Sequence, residues 1–596
     1  MQVLESSAFE RKRSFFTIGD GPAPEDYRTC HGQFATGGTF VGHPHKKSSK
    51  AMNERDQTLW YKNAVFYGLD VATFQDSNGD GIGDFPGLMS RLDYVADLGV
   101  TCLWLLPFFP SPNRDNGYDV TDYFGVDPRL GTFDEFRTFV HEAGERGLRV
   151  LIDLVMDHTS DEHPWFRAAR QDPGSRYRRY YTWTDSPPPL EPGKGNIFPD
   201  REASVWTFDE IAGQYYYHRF YHFEPDLDVM CPEVRDEIKR VIDFWLSFGV
   251  SGFRVDAVSH MIESPIPIAD PALVHDPHRV LRDLRSFASS RRADVALLGE
   301  ADVRPEELAA FFGNGAELHL LYNFLLDNLL FLSLATGRAE PIERALRLSP
   351  AIPGECQWIN FLRNLDELDL ERLTEEEREQ VYDAFAPEPH MRIFGRGIRR
   401  RLAPMLNDPH RVRMALSLLF SLPGTPLLIY GDEIGMGENL SLDGRNAVRT
   451  PMQWSSARHG GFSTAAQRTL TAPLVTKGEF GYRHINVDRQ AADPDSTLNV
   501  VKRLIRLRRQ CPEWGWGTCR VLTTGEPGIF AHSSEWKGQR LVAAHNLTDK
   551  AASIHFDREP RTALVPILRS DSLSQDDPHR LEIPSYGYGW YRVEKI

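Results

Sequence analysis

The chain has 596 residues, 41% of them hydrophobic and 26% charged, with a formal net charge of -16. That length exceeds one compact core and predicts a large domain with at least one smaller one. The acidic balance argues against nucleic acid or a membrane surface as partner, since both select clustered Lys and Arg; a small neutral ligand or a cation fits it, and self-association stays open.

Residues 1–58 carry no steady periodicity and read as a poorly ordered leader rich in Gly, Pro, Ser and charge. The N-terminus lacks the long apolar segment of a secretory signal, and no apolar run reaches the roughly 20 residues that span a bilayer. Six scattered cysteines (Cys30, Cys102, Cys231, Cys356, Cys511 and Cys519) form no C-x-x-C pair or zinc spacing. Together these features predict reduced thiols in a cytoplasmic protein.

From residue 60 short apolar runs alternate with amphipathic helical stretches. The runs are AVFYGLDV (64–71), CLWLLP (102–107), RVLIDLV (149–155), GFRVDAV (252–258), VALLGEA (295–301), ELHLLYNF (317–324), QWINFLRN (357–364) and PLLIYGDE (426–433). Near-continuous apolar runs of this length suit strands buried on both faces. Helical patterns such as GTFDEFRTFVHEAGERG, CPEVRDEIKRVIDFWLSFG, HRVRMALSLLFSLPG and DSTLNVVKRLIRLRRQC lie between and after them. Eight such units predict an α/β fold, a closed (β/α)8 TIM barrel over 59–158 and 229–512. About 70 residues separate the third run from its helix, too many for a simple connection, so 159–228 reads as an inserted subdomain over the barrel mouth. After 512 the pattern turns to alternation (GIFAHSSEW, RLVAAHNL, GYGWYRVEK), which predicts a C-terminal antiparallel β-sandwich domain over 513–596.

In such barrels the C-terminal strand ends line the active site. The polar residues there are Asp157 and His158, Arg254 and Asp256, Glu300, Asn364 and Asp366, and Asp432 and Glu433. Several carboxylates around one mouth with an Arg and a His are costly to gather unless they do chemistry. Separately, DSNGDGIGD (76–84) offers oxygens at alternating positions: Asp76, Asn78, Asp80, the Ile82 carbonyl and Asp84. Hard oxygen donors at Gly-permitted turns suit Ca2+ or Mg2+, although Gly87 stands where an EF-hand needs a bidentate Glu.

The motifs DSNGDGIGDF, DNGYDVTDY, DLVMDHTSDEHPWF, EPDLD, GFRVDAVSH, LLGEADV, RNLDEL, GTPLLIYGDEIGMGEN and VRTPMQW run in one order over about residues 58–596. In these the chain resembles the α-amylase family, glycoside hydrolase family 13, and within it the trehalose-synthase and oligo-1,6-glucosidase branches. The resemblance implies Asp256 as nucleophile, Glu300 as general acid/base and Asp366 as the third carboxylate, which binds sugar hydroxyls in the distorted transition state. It implies Asp115, Tyr118, His158 and Arg449 as sugar-binding residues, Arg254 as the cation beside the nucleophile, and a structural Ca2+ in the 76–84 loop. Retaining cleavage needs one ionised carboxylate and one protonated acid about 5–5.5 Å apart. A pocket sealed beyond the first glucose implies a short α-glucoside or disaccharide substrate.

The chain departs from the family pattern at three places. The family's Asn-His-Asp is Asn364-Leu365-Asp366 here, its Asn-His is Asp157-His158, and the branch's Gln-Pro-Asp-Leu-Asn is Glu224 to Asp228, EPDLD. Leu365 cannot donate the hydrogen bond that the family histidine gives the reacting sugar, a loss worth roughly 10²–10³-fold in rate where it acts in the transition state. Three readings follow: a retaining α-glucoside hydrolase or transglycosylase working through a glucosyl-Asp intermediate, a maltose–trehalose isomerase, and an impaired amylase-like sugar-binding protein.

Overall fold

The computed structural model describes residues 57–189, 195–263, 276–555, 562–570 and 580–595. The leader expected over 1–58 lies outside them except for its last two residues.

Three parallel strands come first, β1 (Phe66–Leu69), β2 (Cys102–Leu105) and β3 (Arg149–Leu154). The insert follows, with β4 (Trp183–Thr184), β5 (Trp206–Asp209) and β6 (Gln214–Tyr217). Then come β7 (Gly252–Val255), β8 (Ala296–Gly299), β9 (Leu320–Tyr322) and β10 (Gln357–Asn360). Three two-residue strands, β11 (Leu368–Asp369), β12 (Arg392–Ile393) and β13 (Gly397–Ile398), precede β14 (Thr425–Ile429). The closed barrel runs β1-β14-β10-β9-β8-β7-β3-β2, so each of the eight apolar runs supplies one of its strands. Every residue of these strands except Arg149 is buried. Strands covered on both faces lose any reason to alternate, which is why they read as unbroken apolar runs. Inside the barrel, Gly68 leaves room for a large ring: a Cβ there would stand 2.6 Å from Trp104 Cε3.

The helices begin where local chemistry satisfies their free amides. In α1 (Phe133–Glu145), Thr132 and Glu135 form a reciprocal capping box, and α2 (Pro232–Ser247) opens on a proline. Helix α3 (Phe324–Thr336) is buried on all sides from Phe324 to Leu334, so it carries no amphipathic stripe. Helices α4 (Pro409–Ser421) and α5 (Thr497–Gln510) are capped by Asp408 and Ser496.

In the insert β4, β6 and β5 make a three-stranded antiparallel sheet, and isolated bridges from His158 to Asp226 and from Tyr181 to Leu227 return it to the end of β3. A second excursion, the β11-β13-β12 sheet, was not anticipated, because two-residue strands are too short to show a period. At the C-terminus β15 (Thr518–Val521), β16 (Ile529–Trp536), β17 (Gln539–Asn546), β18 (Ala552–His555), β19 (Thr562–Arg569), β20 (Arg580–Ile583) and β21 (Tyr588–Lys595) form a five-stranded and a two-stranded antiparallel sheet. Ile529, Val542, Ile554, Leu581, Ile583 and Tyr591 pack in one core there. Ser417 of α4 accepts a hydrogen bond from Trp590 Nε1 and pairs with His545 Nε2, each at 3.0 Å. Among the described residues no helix is long and apolar enough to cross a membrane.

Candidate active site

Two carboxyl groups are placed by backbone register. Val255 of β7 pairs with Gly299 of β8, so the next residues, Asp256 and Glu300, leave adjacent strands side by side. The ladder continues past them: Glu300 N donates to Val255 O at 3.1 Å, and Val258 N donates to Glu300 O at 3.0 Å. Ala257 then turns into the left-handed region (φ 43) and gives its amide to Glu300 Oε2 at 3.2 Å.

Arg254, 1% exposed, binds three carboxylates. Its Nη1 donates to Asp153 Oδ1 at 3.0 Å and closely to Asp256 Oδ1, and its Nη2 stands 2.6 Å from Glu300 Oε2. Asp153 lies opposite Arg254 in the β3–β7 ladder and also accepts from the Tyr118 hydroxyl at 3.4 Å; sequence reading passed it over because it sits inside the strand rather than at its end. Burial, opposed by Arg254 and aided by Asp256 and Glu300, pushes Asp153 up to about 8. Glu300 rises to about 7: burial is the largest cause, Arg254 opposes it, and Asp256 and Asp366 add to it. Its acidic neighbours therefore assist a shift that burial leads.

Asp366 arrives from the other side of the mouth, after β10. Burial opposes its charge, but Arg445, Arg449, Arg254 and Arg363 outweigh burial and hold it below the ordinary carboxylate value. Arg449 Nη2 stands 2.7 Å from Asp366 Oδ1 and Arg445 Nη1 3.3 Å from it. Arg449 Nε also donates to the Leu365 carbonyl at 2.8 Å.

A cavity of about 110 Å3 gathers Asp115, Tyr118, His158, Arg254, Asp256, Glu300 and Asp366 of the expected site residues, together with Asn364. Arg449 and Leu365 are not on its wall. Arg449 acts from behind Asp366, and Leu365 is fully buried within the hydrophobic core at φ 74. Asp432 and Glu433 also stand apart: Asp432 pairs with Arg401 at 3.2 Å, and Glu433 accepts from Tyr67 and Tyr94 at 2.8 Å each. The wall includes residues that sequence reading missed, notably Phe220, Asp302, Arg396 and Arg445. Arg445 lies in DGRNAVRTPMQW, four residues before Arg449, and only the fold turns it onto Asp366 and Glu367.

The insert closes over this mouth. Arg201 pairs with Asp443 at 2.5 Å, Arg396 Nη1 donates to Ile197 O at 3.1 Å, and the Arg445 guanidinium lies 5.1 Å from the Phe198 ring. On the insert's inner side, His158 stands between Asp157 (Oδ2 3.7 Å from Nδ1) and Glu224 (Oε1 3.8 Å from Nε2).

In the 76–84 loop the side-chain oxygens turn onto main-chain amides. Asp76 Oδ1 accepts from Asn78 and Gly79 and Oδ2 from Gly81, Asn78 Oδ1 accepts from Asp80, and Asp80 Oδ1 accepts from Ile82. Asp84 caps the following short helix through Gly87 N. The donor chemistry fits a hard divalent cation. The carboxylates of Asp76, Asp80 and Asp84 do not converge, however: among the described residues the three acids whose ligand atoms lie within 4.8 Å of one another are Asp302, Asp369 and Glu371. Arg372 and Arg396 already neutralise that group.

Residues 71–517 match the family described as alpha amylase, catalytic domain. The chain belongs to the α-amylase family. It is 39% identical over 556 residues to a trehalose synthase of Pimelobacter sp., covering 90% of this chain and 96% of that one. It is 38% identical over 576 residues to a trehalose synthase/amylase of Mycolicibacterium smegmatis, covering 93% and 96%. The crystal structure of a trehalulose synthase from Pseudomonas mesoacidophila superposes with a TM-score of 0.73 at 26% identity, covering 90% and 99%. The chain is thus an α-amylase-family enzyme, and three acids, Asp256, Glu300 and Asp366, stand around one cavity.

Proposed function

We propose that the enzyme works by a retaining mechanism on a short α-glucoside and transfers the glucose within the pocket beneath the insert, interconverting maltose and trehalose. The observation that carries the reaction class is the pairing of Asp256 and Glu300 on one guanidinium, at the ends of two register-locked strands. Asp256, ion-paired to Arg254, attacks the anomeric carbon. Glu300, with its pKa raised to about 7, protonates the departing oxygen. The bond that forms is the glucosyl-Asp256 ester, and the bond that breaks is the glycosidic C–O. Asp366, kept anionic by Arg445 and Arg449, binds the hydroxyls of the distorted ring. In the second half Glu300 accepts a proton from a different hydroxyl of the released glucose, and that oxygen displaces Asp256.

What favours transfer over hydrolysis is the clamp of insert on loop, Arg201–Asp443 with Arg396 on Ile197, because the released glucose has to turn without exchanging for water. The Pimelobacter relative, a trehalose synthase, points the same way, while the Mycolicibacterium relative is named both trehalose synthase and amylase. Incubation with maltose, followed by NMR, tests the reading: trehalose as the main product is expected, and glucose alone would make the enzyme a hydrolase. For the 76–84 loop we propose a structural Ca2+, which Asp76, Asn78, Asp80, the Ile82 carbonyl and Asp84 would hold; no catalytic step passes through it.

A further inference from the structure

Three segments far apart in sequence meet beside the third acid, Asp366. Phe198 lies between β4 and β5 of the insert, Phe394 between β12 and β13, and Arg445 after β14. The Phe198 and Phe394 rings pack with centroids 4.7 Å apart, and the Arg445 guanidinium lies against both, 5.1 Å from the first and 5.8 Å from the second. Phe198 is 1% exposed and Phe394 5%. From that seat Arg445 reaches two acids. Its Nε and Nη2 donate to the two Glu367 oxygens at 2.7 and 3.3 Å, and its Nη1 stands 3.3 Å from Asp366 Oδ1.

Phe394 occupies a backbone position that does not suit it. Arg396 N donates to Ile393 O at 3.3 Å, closing a tight turn in which Phe394 and Gly395 both have positive φ, 55 and 68. Asn, Asp or Gly fits the first of those two places readily, whereas Phe does not. The turn itself therefore gives no reason for the residue; the contacts of its ring outside the hairpin do. The same hairpin supports the other partner of Arg445: a Cβ on Gly397 would stand 2.9 Å from Glu367 Cγ, so β13 lies close against that side chain. At Asp366 burial opposes the charge, and Arg445 leads the cations that overcome it.

We propose that Phe394 is a positioning residue which, together with Phe198, holds the Arg445 guanidinium on Asp366. The proposal rests on the reading of the cavity as a glucoside pocket, in which Asp366 meets the sugar hydroxyls. An arginine side chain has many rotamers; ring faces against its planar head restrict them and leave the N–H edge free for carboxylates. Neither ring is on the cavity wall, whereas Arg445 is, so both rings act through Arg445. One ring belongs to the insert and the other to the hairpin, so Arg445 keeps its aim only while both segments are in place.

The test compares, in the full chain with maltose as substrate, Phe394→Asn, which suits the turn and removes the ring, with Phe394→Tyr, which keeps it. Phe394→Asn is expected to lower kcat/KM roughly tenfold and to move the acid limb of the pH profile upward, because Asp366 loses part of what favours its charge. Phe394→Tyr is expected to keep the wild-type values of both. A purely structural role would lower the melting temperature and leave the acid limb in place; that result overturns the proposal. Added to Arg445→Gln, Phe394→Asn should cost less than about twofold more, and a second full tenfold loss would show that the ring acts independently of Arg445, which also overturns it. Phe394→Leu takes the place of Phe394→Asn if the latter melts early. An enzyme that turns over no α-glucoside overturns the glucoside reading instead. The Asp366 carboxyl, followed by 13C NMR and assigned by its loss in Asp366→Asn, then decides the coupling: its titration is expected to rise in Phe394→Asn, and one that does not move refutes the proposal.

Discussion

Arg254 Nη2 stands 2.6 Å from Glu300 Oε2, on the same guanidinium that holds Asp256. One buried cation therefore serves a proposed nucleophile and a proposed acid at once, and it pulls the acid's pKa down while burial pulls it up. Arg254→Lys removes the fork geometry that lets one side chain reach both. A fall in kcat/KM of at least ~10²-fold is expected. The alkaline limb of the pH profile should move upward, because a single ammonium cannot reach both acids as the guanidinium does and Glu300 loses its close contact with the Nη2 end. A limb that moves down would show that Arg254 does not set Glu300.

Glu300 also links stability to pH. Its folded value of about 7 lies above the ordinary 4.5, so the folded state resists ionisation that the unfolded chain accepts. This unfavourable contribution is absent below pH 4.5, grows as pH rises and is complete above pH 7. Glu300→Gln removes it, and a stabilisation of order 1–3 kcal/mol is expected at pH 8, with little at pH 4.5. Thermal melts of the two proteins at both pH values check the sign; equal differences at the two would refute the linkage.

The covalent step is open to direct capture. A slow fluorosugar donor incubated with the wild-type enzyme should add one glycosyl mass, mapped to the peptide around Asp256, and Asp256→Ala should add none. Label on any other carboxylate would displace Asp256 as nucleophile.

Arg201 and Asp443 are exposed enough (44% and 74%) that breaking the pair should leave stability within about 1 kcal/mol. Its effect should appear in products. Arg201→Ala is expected to raise the glucose-to-isomer ratio several-fold by letting water exchange under the insert. An unchanged ratio would mean that this clamp does not keep water out.

Calcium in the 76–84 loop predicts a melting temperature that drops on chelation and returns when Ca2+ is restored. A melt indifferent to chelator leaves the loop as nested Asx turns, held by the amides it already satisfies.

Leu365→His places a polar ring in a fully buried apolar site, and a loss of roughly 1–3 kcal/mol of stability is expected. Since Leu365 does not line the cavity, turnover should not rise. A gain of 10²–10³-fold would restore the view that its missing donor limits the reaction.

The eight barrel strands were legible because burial on both faces writes them as unbroken apolar runs, and the insert because its length has no simple explanation. Helix α3 was not, since burial on every side erases the stripe that marks a helix. At the site, Asp256, Glu300 and Asp366 could be placed at strand ends from sequence, but Asp153 could not: a carboxylate inside a strand looks like an interruption until its partner Arg254 is seen across the ladder. Leu365 was misplaced for a local reason. Asn364 and Asp366 face the cavity, whereas the backbone reverses at Leu365 (φ 74), a conformation that costs a branched residue of order 1 kcal/mol and that no pattern of polarity reveals.

The pairing of Val255 with Gly299 has a further consequence for how such an enzyme can change. The two carboxyls proposed to react are spaced by main-chain hydrogen bonds between neighbouring strands, whereas positions 157, 224 and 365 sit on segments beyond the strand ends. Changes at the rim therefore need not disturb the spacing of that proposed pair. A lineage can try new sugars by exchanging rim residues, and a protein engineer can graft whole loops, without having to rediscover the chemistry each time.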